Sequence, residues 1–189
     1  MNKLTPSSRR PASYQDVIDA PADKIAEIIS GALYLHPRPR PVHSDVIGSL
    51  GDELIGPFRK GRGGPGGWRI LIEPELHLGQ DVLVPDLVGW RRERLPAMPD
   101  TPGITVVPDW VCEVLSPSTR RYDLTKKRVS YAGHGVPFLW LIDLAAGTLE
   151  AQRLEEGGWT LIVTLQGDVE VRLPPFDAIA FPLSGLWSD

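Results

Sequence analysis

Cysteine is almost missing from this chain: Cys112 is the only one in 189 residues. That excludes an intrachain disulfide and a cysteine-built zinc cage, and a reducing, cytoplasmic setting is expected. Long apolar runs are missing as well. The longest uninterrupted one, Phe138 to Ile142, falls far short of the roughly 20 residues a spanning helix needs. The first residues, Met1 to Val17, are polar and broken by Pro6 and Pro11, unlike an export signal. A soluble protein with no membrane partner is therefore expected. A basic excess is also lacking: 20 Lys+Arg face 24 Asp+Glu, a formal charge of −4. That balance argues against a uniformly basic coat for nucleic acid.

What is present is enough for one ordinary domain. The 42% of hydrophobic residues supply a core, and 23% of charged residues is too few for wholesale disorder. Charge is unevenly placed. Residues 1–128 hold 18 Lys/Arg and 16 Asp/Glu, net +2, and residues 129–189 hold 2 and 8, net −6. The cations cluster at Arg38 and Arg40, at Arg59, Lys60 and Arg62, at Arg91, Arg92 and Arg94, and from Arg120 to Arg128. Each cluster taken alone reads as solvated surface; together they could form a local basic face.

Residues 1–13 are expected to be flexible, with a single domain over 14–189. Pro21-Ala22-Asp23 reads as the start of a short helix through Ser30, with Gly31 as its stop. Ala32 to His36 reads as a strand, and Val42 to Ile55 as a helix carrying Val46, Ile47, Leu50 and Leu54 at helical spacing. Trp68 to Leu78 and Asp81 to Trp90 read as two strands joined at Gly79-Gln80, and a proline-rich loop follows to Pro108. Trp110 to Leu115 is a strand, Asp123 an N-cap for a helix to about Ala132, and Phe138 to Asp143 a buried strand. Strand, helix and strand in that order imply a parallel pair. A last hairpin pairs Thr148–Leu154 with Trp159–Val163. The expected architecture is a single α/β domain with a mixed β-sheet flanked by helices.

Two acids stand out. Glu113 lies in Trp110-Val111-Cys112-Glu113-Val114-Leu115, where every neighbour is apolar. An unpaired carboxylate there would cost several kcal/mol. Asp86 follows Val82-Leu83-Val84-Pro85 and opens another apolar strand. If those strands are antiparallel with Gly89 opposite Trp110, Asp86 falls opposite Glu113. Adjacent carboxylates repel unless a proton or cation joins them, and hard divalent ions are the usual solution. On the helix after Asp123, about 100° per residue puts Leu124, Lys127, Arg128 and Tyr131 on one stripe. Leu124 and Tyr131 would anchor that stripe to the sheet. Lys127 would lean toward the acids, with Arg128 its rival and a structural Glu113–Arg128 ion pair as the plainer alternative.

These residues carry a resemblance. Pro85-Asp86, Glu113-Val114-Leu115-Ser116-Pro117-Ser118-Thr119, Asp123, Lys127, Tyr131, Gly135-Val136 and Trp140-Leu141-Ile142-Asp143 resemble the Uma-two restriction-endonuclease family, which is similar to the PD-(D/E)XK nuclease superfamily. The resemblance runs from about Asp16 to Phe181. It implies a restriction-endonuclease-like core and Mg²⁺-dependent hydrolysis of DNA phosphodiester bonds, with Mn²⁺ as a substitute ion. Asp86, Glu113 and the Val114 carbonyl would hold the metal. Lys127 would orient or help deprotonate the attacking water, replacing the lysine that the superfamily carries two residues after the glutamate, where this chain has Leu115. Glu73 resembles an auxiliary acid. Glu27 and His43 match the family loosely and read better as structural groups. The arginines at 91–94 and 120–121 would contact phosphates, and a homodimer is expected by analogy with enzymes that cut two strands.

Two other readings remain. One is a catalytically weak or inactive nuclease-fold module that binds nucleic acid or a partner, and the other a hydrolase of small phosphodiesters. His36, His43, His77 and His134 show no zinc-ligand spacing, the glycine loop at 61–67 lacks a P-loop ending, and Ser116 has no nucleophile elbow around it. The tryptophans read as core, with Trp90 the best placed to stack on a base.

Overall fold

The core is built on a six-stranded sheet. This computed structural model describes residues 10–187. The sheet contains β3 (Trp68–Ile72), β6 (Leu87–Arg91), β7 (Trp110–Leu115), β8 (Phe138–Asp143), β9 (Thr148–Glu155) and β10 (Gly158–Gln166), in the order β10-β9-β8-β7-β6-β3. Every neighbouring pair is antiparallel except β7–β8, the parallel pair that the strand–helix–strand order implies. Gly89 stands opposite Trp110, the expected register. The glycine lets the two rings close over the strand: a Cβ there would come within 3.2 Å of the Trp68 ring and 3.3 Å of the Trp110 ring, tighter than ordinary contact.

One face of the sheet packs an aromatic cluster. Phe176 sits 4.7 Å from Trp68, 4.9 Å from Trp110 and 5.7 Å from Trp140, ring centre to ring centre. Helix α2 (Pro41–Leu54) covers this face with Val46, Ile47, Leu50 and Leu54, and continues as a π turn, Ile55–Arg59. Against the other face packs a composite helix: α3 (Arg120–Tyr122), a π turn (Asp123–Lys127) and α4 (Arg128–Gly133).

The large sheet is the mixed, helix-flanked sheet expected of the α/β domain, and the remaining strands add two smaller antiparallel ones. A four-stranded antiparallel sheet has the order β2-β1-β5-β4, from β1 (Lys24–Ile29), β2 (Ala32–Pro37), β4 (Leu76–Leu78) and β5 (Asp81–Leu83). A two-stranded ribbon joins β11 (Glu170–Val171) and β12 (Phe181–Pro182). The segment expected as a helix over 21–30 is the strand β1. Its Ile25, Ile28 and Ile29 are β-branched, and Ser30-Gly31, both with positive φ (52° and 74°), make a two-residue hairpin turn into β2. The two long strands expected over 68–90 each break in two, because Pro74 and Pro85 cannot donate to a ladder. Their near halves, β3 and β6, stay in the large sheet, while β4 and β5 peel into the small one. Asp123 is not an N-cap: the helix begins three residues earlier, behind Thr119.

Of the N-terminal segment expected to be flexible, residues 1–9 lie outside the described residues. Arg10 pairs with Asp16 at 2.7 Å, and the Ala12 N–H donates to the Gly31 carbonyl at 2.8 Å. Short helix α1 (Tyr14–Ile18) follows. Among the described residues no helix is long and apolar enough to cross a membrane.

Candidate active site

Strand β7 points Glu113 into the layer between the large sheet and the composite helix, where only 2% of the residue is exposed. Lys127, at the end of the π turn, meets it: Nζ lies 2.8 Å from both carboxylate oxygens. One turn later the Tyr131 hydroxyl donates to Glu113 Oε1 at 2.5 Å. Arg128, the alternative partner, turns aside to Gln152, 2.9 Å from Nε. The lysine also donates to the Val84 carbonyl at 2.9 Å and lies 3.4 Å from Glu27 Oε1. Glu27, on β1, is 2% exposed and accepts the Val84 N–H at 2.7 Å.

Asp86 stands beside this group, one residue before β6 and beyond the last paired residues, Leu87 and Cys112. It is thus where the register places it, opposite Glu113, and its Oδ2 accepts the Val114 N–H at 2.6 Å. His43, on the first turn of α2, donates Nε2–H to the Val114 carbonyl at 2.7 Å and lies 3.4 Å from Asp86 Oδ2. Glu27, His43, Asp86, Glu113 and Lys127 line a cavity of about 680 Å³, whose wall also includes His36, Tyr122, Asp123 and the Ser116–Thr119 turn.

The cavity is acidic. Glu27, Asp86, Glu113 and Asp123 line it with one ammonium, Lys127, among them. Burial drives the Glu113 pKa well up, and the neighbouring acids add to the rise against the pull of Lys127. Burial opposes charge on Lys127, but the same acids outweigh it and hold its pKa well above the ordinary lysine value. Asp123, buried, is pushed up to about 6. For His43, burial disfavours the charged form, yet Asp86, the Val114 carbonyl and Glu73 raise its pKa overall. Burial and then the charge of Glu27 raise the Tyr122 phenol, so it keeps its proton. That hydroxyl and His36 Nε2, which stands 3.7 Å from Glu27 Oε2, are buried and make no hydrogen bond of ordinary geometry.

A hard divalent cation suits these donors. Among the described residues no three His, Cys, Asp or Glu side chains form a metal cage by themselves. Mg²⁺ does not need one, since it takes one or two carboxylates and fills its shell with waters and substrate phosphate. Asp86 and Glu113 would be those carboxylates: Asp86 Oδ2 and Glu113 Oε2 each accept one hydrogen bond and keep a lone pair, whereas Glu113 Oε1 is engaged by both Lys127 and Tyr131. The Val114 carbonyl, occupied once by His43, also has a second lone pair.

Other expected site residues stand farther off. Glu73 is exposed, outside the cavity wall, at a positive φ of 47°, and its N–H donates to the Asp86 carbonyl at 3.0 Å. Arg94 pairs with Asp109 at 2.6 Å, Arg120 pairs with Asp143, and Arg91 lies over the Trp68 ring at 4.3 Å. Trp90 is fully buried and donates to the Val106 carbonyl, so it is no stacking platform. Conversely, Glu27, His36 and Tyr122 join the cavity wall although the sequence reading gave them no chemical part. The cue for Glu27 is a lone acid inside an Ile-rich segment, legible once β1 is read as a strand.

Comparison with known proteins agrees with this architecture. A putative nuclease belonging to DUF820 from Anabaena variabilis, a solved structure, superposes with a TM-score of 0.74 at 22% identity, covering 93% of this chain and 97% of that one. No curated protein matches the sequence. Residues 11–184 match the Uma2 family, described as "Putative restriction endonuclease", and the chain belongs to that family.

Proposed function

We propose that this protein is a Mg²⁺-dependent nuclease that hydrolyses DNA phosphodiester bonds in the cavity holding Asp86, Glu113 and Lys127. The observation that carries this reading is the meeting, inside one acidic cavity, of a strand-borne carboxylate, a second carboxylate at the entry to the next strand and a helix-borne ammonium. Asp86 and Glu113, with the Val114 carbonyl, would hold Mg²⁺ or Mn²⁺. The ion would supply Lewis-acid polarisation of the phosphate and acidify water. Lys127, with its raised pKa, keeps its proton, so it orients water and offsets developing negative charge; it does not serve as the base. Its longest contact, 3.4 Å to Glu27, is the one most readily exchanged for a substrate oxygen. Tyr131 fixes the Glu113 carboxylate, and His43 fixes the Val114 carbonyl. Glu73 serves as an auxiliary acid at the edge, through its field at His43.

The test is cleavage of plasmid and labelled oligonucleotides with Mg²⁺ or Mn²⁺. Asp86→Asn and Glu113→Gln should each lower the rate by about 10³-fold, the scale for removing one preorganised electrostatic contact. Unchanged cleavage in both variants overturns the assignment. A second reading, a nuclease-fold module that binds nucleic acid without cutting, draws on the commitment of both Glu113 oxygens to Lys127 and Tyr131. It requires binding independent of metal and no cleavage under any ion.

A further inference from the structure

We infer that the cavity accepts an unpaired nucleotide, so that the substrate is a single strand, a flap or a locally opened duplex and not the interior of an intact double helix. This rests on the proposed hydrolysis for its consequence but on the shape and lining of the cavity for its argument. The groups that would act on a phosphate lie deep: the side chains of Glu113 and Lys127 are 3% and 5% exposed. A phosphate must enter the cavity to reach them. Duplex phosphates stand in fixed rows on a stiff rod, whereas an unpaired strand can bend one nucleotide inward.

The lining agrees. Only part of the wall is charged; Ile25, Val42 and Leu144 give it an apolar side, which suits a sugar or base face better than a phosphate alone. Beside Glu27 in the wall, His36 Nε2 and the Tyr122 hydroxyl are buried and make no hydrogen bond of ordinary geometry. A base edge or sugar hydroxyl would satisfy both, and leaving such groups unpaired is otherwise unfavourable. At the mouth, Arg38 and Arg40 are exposed between Pro37, Pro39 and Pro41, an extended segment that sets two cations along the path of an entering strand.

The experiment measures anisotropy of a short labelled single strand and of the same strand in a blunt duplex, without divalent metal so that nothing is cut. The single strand should bind about tenfold tighter, a modest return for one lodged base. Val42→Trp fills the cavity from an exposed helix position and should erase that preference without weakening duplex binding; circular dichroism melting verifies its fold. Equal or tighter duplex binding, or an unchanged preference in Val42→Trp, overturns the inference. Cleavage separates the two proposals. Single-strand preference without cleavage under Mg²⁺ or Mn²⁺ keeps the inference and removes the nuclease reading, whereas fast cutting inside intact duplex keeps the nuclease and removes the inference.

Discussion

Strand β7 has two faces that do opposite things. Trp110, Cys112 and Val114 face the aromatic cluster, where the packing is of apolar side chains. Val111, Glu113 and Leu115 face the composite helix, where an apolar layer surrounds a buried ion pair. The first arrangement stabilises by area and packing. The second holds charges out of water, and a buried pair at best offsets its own desolvation. The difference teaches that the indole-rich side underwrites a cavity that would be unfavourable alone.

That contrast can be broken in several ways. Lys127→Ala strands Glu113 without its cation and should cost about 3–5 kcal/mol in urea unfolding, with the Glu113→Gln/Lys127→Ala double variant more stable than Lys127→Ala alone. Trp140→Ala should cost a similar ~3–5 kcal/mol by cavity formation, yet leave cleavage per folded molecule intact. If Trp140→Ala abolishes activity in molecules shown to be folded, the division between the faces fails.

Asp123 sharpens the comparison through pH. Its native pKa of about 6 lies above the unfolded value of about 4, so the folded state binds this proton more tightly. Its stabilising contribution is complete below pH 4 and lost as the pH rises through 6. Asp123→Asn should remove that decline, so the stability of wild type relative to the variant should fall by about 2–3 kcal/mol between pH 4 and pH 8. Parallel profiles would show that the acid excess is screened. Tyr131→Phe, which deletes only the hydroxyl on Glu113, should cost about 2 kcal/mol, the scale of a hydrogen bond to a charged group.

The smallest effect should come from the knot that ties the small sheet to the lysine-bearing helix. Asp81 accepts the Ser30 N–H at 2.8 Å and the Ser130 hydroxyl at 2.6 Å, and lies 3.1 Å from His134. Ser130→Ala should cost about 1 kcal/mol in thermal or urea unfolding.

Much of the site was legible because it lies on elements whose patterns are unambiguous. The all-apolar run around Glu113 requires a partner, an antiparallel pairing with Gly89 opposite Trp110 sets Asp86 against Glu113, and helical angles put Lys127 on the stripe that faces the sheet. What escaped the sequence has physical causes. Over 21–30 an isoleucine spacing compatible with a helix concealed a hairpin, so Glu27 was assigned to the wrong kind of element. Prolines 74 and 85 divide strands between sheets, a choice made by packing and not by periodicity. The ion pairs of Arg94 and Arg120, expected to contact phosphates, depend on partners distant in sequence, Asp109 and Asp143.

The π turn over Asp123–Lys127, closed by the Arg128 N–H on the Asp123 carbonyl, makes the amine's position a matter of counting. One residue more than an α turn would hold is looped in ahead of the lysine. Removing a single residue there would wind the helix regularly, swing everything upstream by about 100° relative to Lys127 and Tyr131, and uncouple the Ser116–Asp123 wall from the ammonium. A lineage could thus silence or retune the cavity by a one-codon deletion that touches neither acid.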